Sequence, residues 1–515
     1  MSASAGNGNE PADLPPPQST HSFWHSEPSA LLAGHRSTRS LPQTADAVII
    51  GSGITGTSVA HHLLDGPRDQ AHNNGQKLSV VMLEAREACW GATGRVRLLT
   101  HTLTLTKTYQ LTHTREQNGG HCQPLLCEHP HDPSIGRFEL ANFDALELLV
   151  KERNIDCEFV RQPGVRALYD GRSVDEIEEA LFTLQQTAPD LVKYMRLVTD
   201  HYELEKLRVP GAAGAVVTSK AARLWPYKLI TRVLEDLVTS TDLKGSFNLQ
   251  TLTPVESLTP SDGHRWAVET ARGTIIASRV VLATNGYTSH LLNSFTDLIV
   301  PCRGQMSALL PLPSVAGHNR LKTSLGFHGE TLGDYLIQRP NERGGHLMFG
   351  GGRQVKLIYT TDDTTIDEDT ARYLRSRLFE TMGLPEGKAV KETRIAATKA
   401  ELTATHEWTG IMGFSRDELP WVGEVPDTRN LYVSAGYTGH GMVNAWLCGK
   451  AVARMVSSSV DSRSSEGNVP TSYLVTKARI LKAQELRSVQ DTDGAEVEAW
   501  KTSRAAAHRP LSGYA

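Results

Sequence analysis

At 515 residues the chain exceeds what one small core can organise, and at roughly 150 residues per domain two or three units are expected. A hydrophobic content of 39% with 43 glycines suits a loop-rich α/β protein, and a formal net charge of -4 leaves no basic footprint for nucleic acid or an anionic membrane. The six cysteines are scattered without a second CxxC or a histidine cluster, which predicts reduced thiols in a cytoplasmic protein and no metal site, and no apolar run approaches the ~20 residues of a membrane helix.

In chain order, residues 1–44 read as an arm. PADLPPPQST is expected to be a disordered lead-in, and Phe23 and Trp24 in HSFWHSEP to anchor the arm on the body rather than bind ligand. ADAVII from Ala45 is a short strand, GSGITG a turn, TSVAHHLL a helix, and LSVVMLEAR a second parallel strand. Gly51, Gly53 and Gly56 make the G-x-G-x-x-G spacing. The first glycine permits the tight turn, the second lets a pyrophosphate approach the backbone, and the third lets helix and strand pack closely. The unpaired N–H groups of the helix start face the phosphates. Ser52, Ile54 and Thr55 share that turn, and Glu84, followed by Ala85 and Arg86, falls where a carboxylate accepts from ribose hydroxyls. Such a site is open to NAD or FAD.

Next come GATGR, supplying Ala92, Thr93, Gly94 and Arg95, and NGGH, supplying Asn118, Gly119, Gly120 and His121, as two halves of one glycine-rich loop. They are separated by Val96 to Gln117, which alternates threonine at 100, 102, 104, 106 and 108. Residues 137 to 205 are helical by pattern, AARLWPYKLITRVLEDLV is an amphipathic helix entered through Pro226, and the stretch from Val255 to Gly286 holds three short strands. That stretch ends in ATNG, where the small residues Ala283, Thr284 and Gly286 let the chain pass a bound FAD; Val255 is placed in the same set. Residues 300 to 400 add strands such as GGHLMFGGG and the helix TARYLRSRLFETMG. LYVSAGYTGHGM then repeats strand, glycine-rich turn and helix, and Gly439, His440, Gly441 and Met442 would aim a helix N-terminus at a flavin's pyrimidine ring, an element NAD enzymes do not need. The tail after Ser457 is serine-rich, then charged.

These pieces, AVIIGSGITG, VVMLEAR, GATGR with NGGH, LWPYKL, VVLATNGYT, GIMGFSRDELPWVG and LYVSAGYTGHGM, resemble the FAD-dependent oxidoreductases of the D-amino-acid oxidase superfamily, the group that includes glycine oxidase, sarcosine oxidase and γ-glutamylputrescine oxidoreductase. The resemblance runs from about residue 45 to 455. It implies a two-domain α/β (α+β) architecture: a Rossmann-like FAD domain assembled from 45–145, 211–298 and 401–458, and a substrate domain with a helical part at 146–210 and an antiparallel sheet at 299–400, followed by a tail at 459–515. In that family the loop after the second strand usually reads GASGRNGG or GATGRNGG, and joining Arg95 to Asn118 restores it. Every valine codon begins GT and one glutamine codon is CAG, so residues 96–117 have the form of a translated in-frame intron; the alternative is a genuine insertion forming a hairpin.

The resemblance also marks departures. Gly410 stands where sarcosine oxidases carry the cysteine bonded to the flavin, so FAD is expected to be non-covalent. Met348 stands at their oxygen-activating lysine and Val443 at their carboxylate-binding lysine, which points toward the γ-glutamylputrescine-type branch. The implied chemistry is removal of hydride from a C–H next to a neutral nitrogen, with imine hydrolysis to a carbonyl product. The expected partners are an amine or amino acid and either dioxygen, giving hydrogen peroxide, or another electron acceptor; an inactivated flavin-binding protein is the third possibility. Candidate catalytic residues are His121, Arg303, Gln305 and His440. His121 reads equally as a loop-bonded structural histidine, and Arg303 as a carboxylate anchor or a surface ion pair.

Overall fold

The computed structural model describes residues 10–65, 77–95, 120–329, 332–352, 358–385, 400–457, 469–486 and 488. The segment 96–117, together with Asn118 and Gly119, lies outside the described residues. Two large sheets organise the rest.

The first sheet has eight strands. Its centre is Thr44–Ile50, flanked in parallel by Leu78–Leu83 and Gly273–Leu282. Gly245–Gln250 extends it on one side, and Leu431–Ala435 pairs in parallel with Gly273–Leu282. The antiparallel strands Ser257–Ser261, Arg265–Thr270 and Trp421–Glu424 complete it. AVII and VVML are near-continuous apolar runs because both faces are covered, as parallel strands require. Helices Ile54–Leu64 and Gly441–Ser457 lie against each other so closely that a Cβ on Gly449 would stand 2.7 Å from that of Ser58. The helix Pro226–Thr239 starts at a proline whose φ suits the first helical position, and buries Leu229, Ile230, Val233, Leu234 and Leu237 in the same core.

The second sheet has nine strands. Ile299–Leu309 pairs along its length with Ala404–Ser415, and on its other side with Ile358–Tyr359 and then Leu347–Gly351; Leu332–Gln338, Ser324–Gly329, Gly164–Leu168, Gly214–Thr218 and Met195–Val198 follow outward. All of its pairs are antiparallel except Ser324–Gly329 beside Gly164–Leu168. A small third sheet sets His121–Cys122 and Val160–Arg161 on either side of Ala222–Arg223.

Three expectations about segments need correction. The region 146–210, read as helical, contributes Gly164–Leu168 and Met195–Val198 to the second sheet. GVRAL is buried at every position, so it shows no period-two alternation, and periodicity alone does not separate such a run from a buried helix. The returns to the first sheet expected at 211 and 401 come later, because Gly214–Thr218 and Ala404–Ser415 both pair in the second sheet. Finally, PADLPPPQST, residues 11–20, is not a loose lead-in: Ala12 is buried and hydrogen-bonded to the body. No helix among the described residues is long and apolar enough to cross a membrane, and no group of His, Cys, Asp and Glu among them could hold a metal ion.

Candidate functional site

At the C-terminal ends of the parallel strands lies a cleft. Ile50 and Gly51, Leu83 and Glu84, and Ala283 and Thr284, the residues that leave three adjacent strands, all line it. Ligands of open α/β sheets bind in this crevice.

The turn after Thr44–Ile50 is built around glycine. Gly51 has φ +105°, and a Cβ there would stand 2.6 Å from the carbonyl oxygen of Ala283. Gly53 caps the helix Ile54–Leu64 without a side-chain hydrogen bond, and no acidic residue occupies the first turn, so the helix's positive end is directed at the cleft. Thr93 closes over this turn, its Oγ1 accepting from the Ile54 amide at 3.1 Å. Glu84 is fixed by three donors: the Ser52 amide at 3.0 Å, the Ser52 hydroxyl at 2.6 Å and the Arg86 amide at 3.0 Å. A carboxylate has about four acceptor positions, so capacity for a ligand hydroxyl remains.

A buried charge group flanks the cleft. Arg86 Nη1 lies 3.0 Å from both oxygens of Asp363, and Arg95 Nε lies 3.2 Å from Asp363 Oδ2, with all three side chains shielded from solvent. Two guanidiniums share the Asp363 carboxylate, and the buried Glu84 carboxylate, which also acts on Arg86, balances the second positive charge. Burial pulls Arg95 down to about 10, against the opposing attraction of Asp363. Burial also opposes the charge of Arg86, yet its neighbours Tyr287 and Asp363 hold its pKa above the ordinary value. Tyr287 lines the cleft, its hydroxyl is buried without a hydrogen-bond partner among the described residues, and burial pushes its pKa up. It is a donor with nothing to donate to, and such a group is costly unless a ligand accepts from it.

The second helix start meets the first through Tyr437, whose hydroxyl accepts from Thr55 Oγ1 at 3.0 Å and lies 2.7 Å from the Ser434 hydroxyl. Gly439, with φ +84°, and Gly441 line the cleft beside it.

Of the residues expected from sequence, Gly51, Ser52, Gly53, Ile54, Thr55, Glu84, Ala85, Arg86, Ala92, Thr93, Val255, Ala283, Thr284, Gly439 and Gly441 come together around this cleft. Others do not line it. Gly56 packs against the Gly51 carbonyl and Ile49, Gly286 against the Met412 carbonyl, and Gly94 and Gly120 against His25 and Trp24; at each of these a side chain would collide with its neighbour. Arg95 points into the buried charge group. Met442 uses its carbonyl to accept from Asn142 Nδ2 at 2.9 Å, tying two helices together.

The four catalytic candidates are also dispersed. His121 is fully buried, edge-on to Tyr335 with ring centres 5.9 Å apart. His440 turns away to Glu139, 3.5 Å from Nδ1 to Oε1, because its helix packs on Pro133–Glu152. Gln305 makes a reciprocal pair of 3.0 Å hydrogen bonds with the backbone of Asp367, and Arg303 donates to Thr365 Oγ1 at 2.7 Å, so both pin the segment 362–367 rather than reach the cleft.

Sequence reasoning missed Tyr287, Asn285, His290, Met412 and Tyr437, and also Leu14 and Pro15 of the arm. The first two sit in the ATNGYT motif and Tyr437 in AGYTGHG, so the signal was adjacent. Nothing local marks Leu14 or Pro15, whose role depends on where the arm docks.

The family model for FAD dependent oxidoreductases (DAO) matches residues 46–455. Among curated proteins, the chain is 22% identical over 441 residues to γ-glutamylputrescine oxidoreductase of Escherichia coli, covering 83% of this chain and 87% of that one. It is 25% identical over 442 residues to mitochondrial dimethylglycine dehydrogenase of Rattus norvegicus, covering 82% of this chain but only 44% of the relative. Among solved structures, L-proline dehydrogenase from P. horikoshii superposes with a TM-score of 0.60 at 18% identity, covering 87% of this chain and all of that one. Glycine oxidase from Geobacillus kaustophilus does so with a TM-score of 0.59 at 18% identity, covering 84% of this chain and 99% of that one. At these identities the structural likeness concerns the fold.

Proposed function

Because the chain belongs to the DAO family of FAD-dependent oxidoreductases, we propose that it oxidises the carbon–nitrogen bond of a small amine or amino acid, using non-covalently held FAD and delivering the electrons to dioxygen. The observation that carries this reading is the cleft itself. It brings the N-terminal end of Ile54–Leu64, the fixed carboxylate of Glu84 and the glycine turn before Gly441–Ser457 to one volume.

The residues fit FAD. Gly51 and Gly53 leave bare backbone where a pyrophosphate would lie, Glu84 retains acceptor capacity for a ribose, and the orphaned Tyr287 hydroxyl supplies a donor that no described residue uses. Gly410 offers no nucleophile for a covalent bond. When bound, FAD supplies the two-electron acceptor for a C–H next to nitrogen.

The chain's own part is to bind, orient and exclude water. The amine loses two electrons and two protons overall to become an imine, dioxygen takes them to become hydrogen peroxide, and water splits the imine into a carbonyl compound and an amine or ammonia. No strong base is demanded, because a neutral nitrogen lone pair stabilises the developing iminium. Arg303, Gln305 and His440 accordingly stand away from the cleft.

One observation favours a second reading, a dehydrogenase that hands its electrons to another acceptor. Met348 stands where related oxidases have a lysine that promotes reaction with oxygen, and it is wholly buried among apolar neighbours. Oxygen uptake and peroxide formation with a panel of amines and amino acids decide between them. Stoichiometric peroxide supports the oxidase. Reduction of an artificial dye without oxygen uptake supports the dehydrogenase.

A further inference from the structure

We propose that the N-terminal arm, residues 12–24, is a built part of the FAD site that clamps the dinucleotide in place; this rests on the reading of the cleft as an FAD site. The arm precedes the segment 46–455 that the family model matches.

The arm is fastened at both ends. At one end the Ala12 amide donates to Ser289 Oγ at 2.9 Å, and the ring of His290 donates to the Ala12 carbonyl at 3.1 Å. Both partners follow the ATNGY turn, and His290 itself lines the cleft. At the other end Arg95 donates to Ser19 Oγ at 2.9 Å and to Thr20 Oγ1 at 2.8 Å, the Thr20 amide donates to the Asp363 carbonyl at 2.9 Å, and Ser22 Oγ donates to the Gly94 carbonyl at 3.0 Å. Trp24, 1% exposed, is locked by Trp225, whose indole N–H donates to its carbonyl at 2.8 Å.

Between these fastenings Leu14 and Pro15 form part of the cleft wall. Pro15, Pro16 and Pro17 have no amide donors to leave unsatisfied, and their fixed φ keeps the span extended before it docks. The cover is therefore apolar, stiff and inexpensive to order. The same fastenings hold Arg95 and Gly94, so the arm also braces the end of the glycine-rich loop. A ligand in the cleft meets the arm as one wall, and its escape is slowed for as long as the arm stays fastened.

The test is the rate of FAD release, followed by the rise in flavin fluorescence after the holoprotein is diluted into FAD-free buffer. It compares the full chain with a Leu14→Ser/Pro15→Ser variant and with Ser289→Ala. Leu14 and Pro15 are only half-buried, so the double variant folds. Release accelerated by about 10-fold or more in the double variant, and by a smaller factor in Ser289→Ala, is the expected result. A second measurement, hydrogen exchange of the amides from Ala12 to Trp24, should show protection in the holoprotein that falls when FAD is removed. Release rates within about 2-fold of the full chain, with arm exchange indifferent to FAD, overturn the clamp while leaving the FAD site standing. A full chain that takes up no FAD overturns the site, and the clamp with it.

Discussion

Gly94 and Gly120, which bound the stretch containing residues 96–117, pack on two consecutive side chains of the arm. A Cβ on Gly94 would stand 2.5 Å from His25 Nε2, and one on Gly120 3.2 Å from Trp24 Cη2. Both flanks of the stretch are thus packed on the same arm.

Deletion of Val96 to Gln117, which joins Arg95 to Asn118 and restores GATGRNGG, should preserve the fold. Loop length changes chain entropy only slowly, by about 0.6 kcal/mol per doubling. The shortened protein is expected to melt no lower than the full chain and to carry at least as much flavin per polypeptide. A shortened chain that is insoluble or flavin-free, beside a flavin-loaded full chain, would identify 96–117 as a working insertion.

Asp363→Asn should be far more damaging than a substitution in an ordinary loop. It removes the carboxylate that Arg86 and Arg95 share in the interior, and breaking a buried pair in this way costs about 3–5 kcal/mol. Denaturant unfolding of the variant measures the loss, and a change below about 1 kcal/mol would show that water or another anion already neutralises the site.

Gly51→Ala and Gly56→Ala test the nucleotide turn. At Gly51 the added methyl meets the Ala283 carbonyl with φ at +105°, and at Gly56 it collides with the Gly51 carbonyl; both obstacles are backbone and yield little. Each variant should lose most of its bound flavin and about 1–3 kcal/mol of stability. Retention of full flavin content in either would mean that the turn is looser than its geometry.

Arg303→Ala, in contrast, should leave flavin content unchanged and alter kcat/KM by less than about 10-fold, since its guanidinium is engaged by Thr365 and the Asp362 carbonyl. A loss of a hundredfold or more confined to KM for carboxylate-bearing substrates would restore it as a substrate anchor.

Stability should also fall toward acid pH through His25. Its ring is stacked on Trp90 at 3.9 Å, and burial, then the charges of Arg95 and Arg86, holds its pKa well below the usual value. The folded chain keeps His25 neutral while the unfolded chain protonates it, so its contribution is complete above about pH 6.5 and is lost as pH falls below that. His25→Gln should flatten the melting temperature between pH 7 and 5, and an unchanged slope would remove His25 as the cause.

How much was legible in the sequence followed from whether the decisive interaction is local. GSGITG, the acid ending LSVVMLE, ATNG and GYTGHG announce themselves because backbone geometry demands glycine or small residues there, and the cleft gathers around them. Arg303, Gln305 and His440 were chosen for their chemistry, but their direction depends on strand pairing and on the packing of Pro133–Glu152, which no short window encodes. GVRAL looked like helix surroundings because burial on both faces erases alternation. Leu14 and Pro15 lie in a proline-rich stretch whose composition signals disorder, and only hydrogen bonds to Ser289 and His290, far along the chain, give it a place.

The most direct test of the central claim is the visible spectrum of the purified protein, full-length and lacking 96–117, recorded under nitrogen while amines and amino acids are added. The expected result is a flavin band near ~450 nm that survives gel filtration and bleaches with at least one primary or secondary amine, from a flavin that denaturation releases because it is not covalently held. Bound flavin that no amine or amino acid bleaches in either form would contradict amine oxidation, and the absence of any flavin band in both forms would contradict the site itself.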